Sequence, residues 1–195
     1  SAGDVLAEVL RDRPFYGNDG GLTLTGGEPT MQPAFCEALL RLARAEGIAT
    51  AMVTCGHTQW EIFARLWPLM DTLLFDLKHV DNQAHIQHTG MDNHLILENL
   101  DRLAAAGAPL RIRVPVIPGF NATPHAIAAI VAHVTALPGP VQGVDLLPCH
   151  ALGKAKYAGL GRDYPWEGHA RLSDSEVAAL AEVVCAAGLP VRIGG

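Results

Sequence analysis

The sequence predicts an α/β protein built as a partial parallel barrel. Short β-rich runs alternate with longer helical patterns from one end of the chain to the other, the layout of βα units on a parallel sheet. Several helix starts carry their own capping chemistry. The 195 residues can bury one substantial core, yet fall short of the roughly 250 that a closed eight-fold barrel takes. Six strands can be counted, so the expectation is one domain over residues 1–195, an α/β partial (β/α)6 barrel.

The elements follow in order. Ser1 to Arg13 reads as an amphipathic helix with Asp4, Glu8, Arg11 and Asp12 on its polar side. Leu22–Thr25 is the first strand. Pro33–Glu46 is a helix with Phe35, Leu39, Leu42 and Ala43 turned to the sheet, Arg41, Arg44 and Glu46 turned away, and Gly47 closing it. Ala51–Thr54 and Thr72–Leu77 are the next strands. Asn93 is expected to cap a helix running to Gly107, ahead of the strand Leu110–Val116. Thr123-Pro124 supplies a cap and a first-turn proline for another helix. After the strand Gly143–Leu147, Ser173-Asp174-Ser175-Glu176 forms a capping box before Val177, Leu180, Ala181 and Val184, and Pro190–Ile193 is the last strand.

Composition narrows the function classes. No apolar run approaches the roughly 18 to 20 residues that span a bilayer, and the N-terminus has no export signal, so neither a membrane nor secretion is expected. A net charge of −6, with 14 Lys+Arg scattered along the chain, provides no basic stripe for a nucleic acid. The cysteines at 36, 55, 149 and 185 are far apart, which suits a reducing cytoplasm; Cys36 and Cys185 fall on apolar helix faces and are expected in the core. Asn121-Ala122-Thr123 matches a glycosylation sequon and is taken as a chance match.

In parallel βα sheets, ligands sit at the carboxyl ends of the strands. The first strand ends in Thr25-Gly26-Gly27-Glu28-Pro29, where glycines allow close approach to the main chain and Glu28 adds a carboxylate. That acceptor-rich patch suits an ammonium group; the alternative is an ordinary βα turn. The third strand ends in Phe75-Asp76-Leu77-Lys78, whose alternation sets Asp76 and Lys78 on one face, either as a ligand-binding pair or as a surface salt bridge. The fifth ends in Leu147-Pro148-Cys149-His150-Ala151-Leu152-Gly153-Lys154, bringing His150 and Lys154 to the same mouth, where a structural histidine is the alternative.

Taken together, GGEP, DLK and LPCHALGKAKY in this order resemble the glycyl-radical-enzyme activating enzymes of the radical S-adenosylmethionine (SAM) superfamily, typified by the activator of pyruvate formate-lyase. The likeness extends from about Asp4 to the C-terminus and includes Thr89-Gly90-Met91-Asp92-Asn93, Arg111-Ile112-Arg113 and Val116-Ile117-Pro118-Gly119. It implies a TIM-like partial barrel of the radical SAM type. It also implies reductive cleavage of SAM to a 5′-deoxyadenosyl radical, which takes hydrogen from a glycine of a partner glycyl radical enzyme, with flavodoxin or a similar reductant as electron donor. On this resemblance Gly26, Gly27 and Glu28 hold the SAM ammonium, and Asp76 and Lys78 lie near its carboxylate. His150 contacts the nucleoside side, Arg113 lines the cavity, and Thr54 stands in the Thr-x-Gly turn beside the cofactor.

Two departures accompany the resemblance. Where the family often has an acidic residue that helps hold a cation by the SAM carboxylate, this chain has Val53 before Thr54-Cys55-Gly56, leaving Asp76 alone as a candidate. The family binds its 4Fe-4S cluster through Cys-x-x-x-Cys-x-x-Cys, and that spacing is absent here. The expectation is that the cluster cysteines lie ahead of residue 1. The chain would then be an N-terminally truncated fragment that lacks its first βα unit and cannot cleave SAM by itself. Two other classes stay in view. One is a divalent-metal barrel enzyme using His79, His85, His88 and His94 with Asp76, Asp81 and Asp92; the other is a non-catalytic remnant that binds a partner.

Overall fold

The computed structural model describes residues 1–17, 20–149, 159–161, 163 and 171–194. The strands are β1 (Gly21–Leu24), β2 (Ala49–Thr54), β3 (Thr72–Asp76), β4 (Leu110–Val116), β5 (Val144–Pro148) and β6 (Val191–Ile193). The α-helices among the described residues are α1 (Ala2–Arg11), α2 (Pro33–Ala45), α3 (Trp60–Leu66), α4 (Asn82–Thr89), α5 (His94–Ala105), α6 (Pro124–Thr135) and α7 (Asp174–Ala186).

All pairings are parallel and the spatial order β1-β2-β3-β4-β5-β6 is the chain order. That order decides the architecture. Right-handed crossovers that never reverse direction across a sheet keep every helix on one face, and the right-handed twist curls the sheet away from them. The result is the expected partial barrel, with β1 and β6 as its two edges among the described residues.

Strand alternation divides the side chains accordingly. Met52, Leu73, Phe75, Ile112, Val114 and Leu146 point under the helices and are fully buried. Each such side chain contributes about 1.5–3 kcal/mol on leaving water. The opposite face lines a cavity of about 640 Å³ whose walls include Thr23, Val53, Leu74, Arg111, Arg113 and Arg192.

Several helix boundaries follow from their caps. Thr123 Oγ1 accepts from the Ala126 amide, and Ser173 and Glu176 form the reciprocal capping box. Three expectations need correction, and two helices have no cap signal in the sequence reading. On α2 the buried arc is Cys36, Leu39, Leu40 and Ala43, while Phe35 and Leu42 are 39% and 38% exposed, because the apolar stripe is wider than its contact with the sheet. Cys185 lies one step beyond Val184, off the buried stripe of α7, and is exposed. Asn93 occupies the N-cap position of α5 without capping it; its side chain turns inward, and the His94 amide donates to Asp92 Oδ1 at 3.2 Å. Finally, α3 and α4 carry no cap motif recognised in the sequence: α3 starts after Gln59 without a side-chain cap, and α4 starts from Asp81, whose Oδ1 accepts from the Ala84 amide at 2.7 Å.

The inner face carries one strong polar lock. Arg111 on β4 donates from Nε to both oxygens of Asp145 on β5, at 2.8 Å each, and from Nη2 to Oδ1 at 2.5 Å. The two side chains are only 10% and 7% exposed. Removing one partner of a buried pair leaves the other charge stranded. The Asp145→Ala variant is therefore expected to lose about 3–5 kcal/mol in urea unfolding, more than a well-packed pair would contribute net. A loss below about 1 kcal/mol would show that water in the cavity replaces the carboxylate.

Candidate functional site

The carboxyl ends of β1, β2 and β3 meet at one mouth of the barrel. Beyond β1, Gly26 adopts φ +121°, a conformation side-chain-bearing residues rarely enter, and apart from adjacent residues no described atom lies within 4 Å of the Cβ position of either Gly26 or Gly27. The main chain is thus bare toward the mouth. Glu28 follows, half-buried, and turns toward β2. Its Oε1 accepts from the Thr30 amide (3.2 Å), Thr30 Oγ1 (2.8 Å) and Thr54 Oγ1 (2.8 Å), and its Oε2 accepts from the Cys55 amide (2.8 Å). Burial acts to raise the Glu28 carboxyl, but the hydrogen bonds from Cys55, Thr30 and Thr54 outweigh it and hold the group below the usual glutamate range. Glu28 is therefore first a cross-link between the exits of β1 and β2. Of its acceptor capacity, the remaining lone pair on Oε2 is what it can offer a ligand.

Thr54 is 1% exposed and relays this link, since its Oγ1 also accepts from the Gly56 amide at 3.1 Å. Gly56 has φ +79°, and a Cβ there would come within 2.2 Å of Phe75 Cζ, so the turn closes against the ring as only glycine can. Asn99, fully buried on α5, donates from Nδ2 to the Gly56 and Thr58 carbonyls at 2.9 and 2.7 Å and holds the same turn from outside.

At the end of β3 the expected pair is present with a third member. Lys78 Nζ stands 3.9 Å from Asp76 Oδ2, and Arg113 Nε on neighbouring β4 stands 3.8 Å from Asp76 Oδ1. Both distances exceed a hydrogen bond, and Asp76 Oδ1 is buried without a hydrogen-bond partner. Burial raises the Asp76 carboxyl against the opposing pull of Lys78 and Arg113. Val53, on the inner face of β2, lines the cavity with an apolar side chain where a carboxylate would have added charge.

Gly26, Gly27, Glu28, Thr54, Asp76, Lys78 and Arg113 all belong to the exits or inner faces of adjacent strands; His150 and Lys154 lie outside the described residues. The histidines considered as metal ligands have other engagements. His79 Nδ1 accepts from the Asp81 amide, His85 Nδ1 pairs with the Met91 carbonyl, and His79 and His88 both stack with Phe120, with centroids 5.4 and 4.3 Å away. Among the described residues no three His, Cys, Asp or Glu side chains converge as a metal site.

The exits also depend on residues the sequence did not single out as functional. Asn93 donates to the carbonyls of His79 and Val80, at 2.9 and 3.0 Å, and Asn121 donates to those of Lys78 and Pro115, both at 2.7 Å. The available signal was polarity out of place: Asn99 interrupts the apolar stripe Ile96, Leu100, Leu103. Asn121 is fully buried, which withdraws its sequon from any glycan in this fold.

Bare main chain, a spare carboxylate lone pair and a cation beside an unpaired buried oxygen fit a zwitterionic amino-acid head such as that of SAM. The cysteines do not fit a cluster. None is part of a local triplet, and burial raises the thiols of both Cys36 and Cys55, with the Glu28 charge adding to the effect. Among the described residues no helix is long and apolar enough to cross a membrane.

The sequence pattern of the Radical SAM superfamily matches residues 1–129. The chain is 44% identical over 165 residues to the isethionate sulfite-lyase activating enzyme of Nitratidesulfovibrio vulgaris, covering 83% of this chain and 53% of that protein. It is 36% identical over 199 residues to the benzylsuccinate synthase activating enzyme of Thauera aromatica, covering 100% of this chain and 60% of that one. The chain thus spans between 53% and 60% of these relatives' own length. A domain of the pyruvate-formate lyase-activating enzyme from Bacteroides vulgatus superposes with a TM-score of 0.76 at 28% identity, over 90% of this chain and 99% of that domain.

The Glu28 cross-link has a signed consequence. A carboxyl held below its ordinary range stabilises the fold fully above that range and loses the contribution as the pH falls through its depressed value. Asp76, raised by burial, acts in the opposite sense, so the effect is read as a difference between variants. Glu28→Gln, which leaves a buried donor unpaired, should cost about 1–3 kcal/mol at neutral pH in urea unfolding, and the gap to wild type should narrow under acid. A gap that stays constant into acid would show that the carboxylate charge is not what holds the link.

Proposed function

The chain belongs to the radical SAM superfamily, among its glycyl-radical-enzyme activating enzymes, and from that premise we propose that the whole protein cleaves SAM reductively and takes a hydrogen atom from a glycine of a partner glycyl radical enzyme. The observation that carries this is the meeting at one barrel mouth of the Gly26-Gly27-Glu28 exit with the Asp76, Lys78 and Arg113 charges. When bound, SAM and a reduced 4Fe-4S cluster supply the chemistry itself, one-electron cleavage of the sulfonium and hydrogen abstraction.

The chain's own residues bind and orient. The bare carbonyls at Gly26 and Gly27, with the spare Glu28 lone pair, accept from the SAM ammonium. Lys78 pairs with the SAM carboxylate; it is 30% exposed and is not locked to Asp76 by a hydrogen bond, so it can turn to a ligand at little cost. Asp76 and Arg113 balance each other, and Val53 adds no second carboxylate beside them. Thr54 keeps Glu28 aimed, and His150 is assigned to the nucleoside side. The cluster is assigned to a Cys-x-x-x-Cys-x-x-Cys in polypeptide outside these 195 residues, with flavodoxin or a similar protein as reductant. A reducing cytoplasm suits both the cluster and the four free cysteines.

The test uses the whole protein, reconstituted anaerobically with iron and sulfide. With SAM and a one-electron reductant it should release 5′-deoxyadenosine, and Lys78→Ala should weaken SAM binding about tenfold or more, as the loss of a charged contact does. A reconstituted protein that releases no 5′-deoxyadenosine, or a Lys78→Ala variant with wild-type affinity, would sink the assignment.

A further inference from the structure

Asn121 has no place in the binding residues named so far, yet it is among the most constrained side chains in the protein. It sits in the exit loop of β4 at 0% exposure. Its Oδ1 accepts from the Ile117 amide at 2.7 Å, and its Nδ2 donates to the Pro115 carbonyl at 2.7 Å and across to the Lys78 carbonyl at 2.7 Å. Two of these bonds close its own loop; the third leaves it. Lys78 lies beyond the last residue of β3, where the ladder no longer fixes the main chain, although the Leu77 amide still reaches the Arg113 carbonyl at 2.8 Å. From Lys78 onward the main chain is held from β4's exit loop. On its far side, Asn93 holds the next two carbonyls, His79 and Val80.

We propose that Asn121 is a positioning residue for SAM, fixing the Lys78 backbone so that the ammonium stands between Asp76 and the incoming carboxylate. A lysine side chain has four rotatable bonds, so its ammonium is placed only as well as its Cα is. The 3.9 Å gap to Asp76 is too long to anchor the ammonium by itself. The amide at position 121 supplies what the flexible chain lacks, in a water-excluded spot where an unmade hydrogen bond is costly. This inference rests on the assignment of Lys78 to SAM made above. It adds that the β3 and β4 exits act as one unit in binding.

In the whole reconstituted protein, Asn121→Ala is compared with Thr123→Ala, which removes the α6 cap two residues away and touches nothing at Lys78. Asn121→Ala should weaken SAM binding about tenfold, the size expected from losing two donated hydrogen bonds, while Thr123→Ala stays within about twofold. Placed in a Lys78→Ala background, Asn121→Ala should add less than about twofold. Asn121→Leu keeps much of the side-chain volume but loses both donated bonds and adds no charge; it should match the alanine variant and serves in its place if that one does not fold. Without any SAM, acylation of Lys78 followed by mass spectrometry should quicken in the Asn121 variants and not in Thr123→Ala. Equal losses of affinity in Asn121→Ala and Thr123→Ala, full additivity with Lys78→Ala, or an unchanged acylation rate would each overturn the inference alone. A wild-type protein that does not bind SAM, or a Lys78→Ala variant that binds it normally, would overturn the site assignment and the inference with it.

Discussion

Parallel strands that end together leave a row of main-chain amides and carbonyls with no ladder partner, and those groups must be satisfied before anything can bind among them. Here buried side chains do that work. Glu28 takes the Thr30 and Cys55 amides, Asn99 the Gly56 and Thr58 carbonyls, Asn93 those of His79 and Val80, and Asn121 those of Lys78 and Pro115. The mouth is shaped by these bonds, and the ligand-facing groups are what they leave over. Glu28 shows the economy most clearly: a residue suited by type to an ammonium spends most of its lone pairs on the fold.

Charge on the inner face follows a similar division. Deep in the wall, Arg111 and Asp145 close on each other and become part of the sheet. Nearer the mouth, Asp76, Lys78 and Arg113 stand close without closing, which leaves the Lys78 cation available and a buried Asp76 oxygen without a hydrogen-bond partner. The geometry separates an ion pair that stabilises from a group of charges that can exchange partners. Val53 adds no further carboxylate to Asp76 and Glu28 at the mouth.

Periodicity and capping made the strands legible, because alternation and caps are local signals; Leu110–Val116 matches residue for residue, and the other strands agree within two residues at either end. GGEP and DLK could be read as candidate site residues because they stand at strand carboxyl ends in the order of the family they resemble; each alone could equally have been an ordinary turn or a surface salt bridge. What stayed hidden was nonlocal. Nothing in Glu28-Pro29-Thr30 announces that Thr54 and Cys55 will sit across from it, and Arg113 joins Asp76 only through the register of β3 on β4. Buried asparagines escape for a related reason: an amide in a loop looks like turn chemistry until the loop is folded against something. The width of the α2 stripe misled in the other direction, since apolarity marks what can be buried and only packing decides what is.

The match between strand order and chain order also bears on how the molecule assembles. Each strand pairs with the one that precedes it in sequence, so each new pairing closes a modest loop and no contact in the sheet waits for distant chain ends to find one another. Assembly can then advance unit by unit from any nucleus in the middle, where β4 shares four register positions with β3 and five with β5, near the fully buried Phe75 and Ile112. Among the described residues, the outermost strands β1 and β6 have a neighbour on one side only. Opening of the native state should accordingly begin at the rims and reach the β3–β4 pair last.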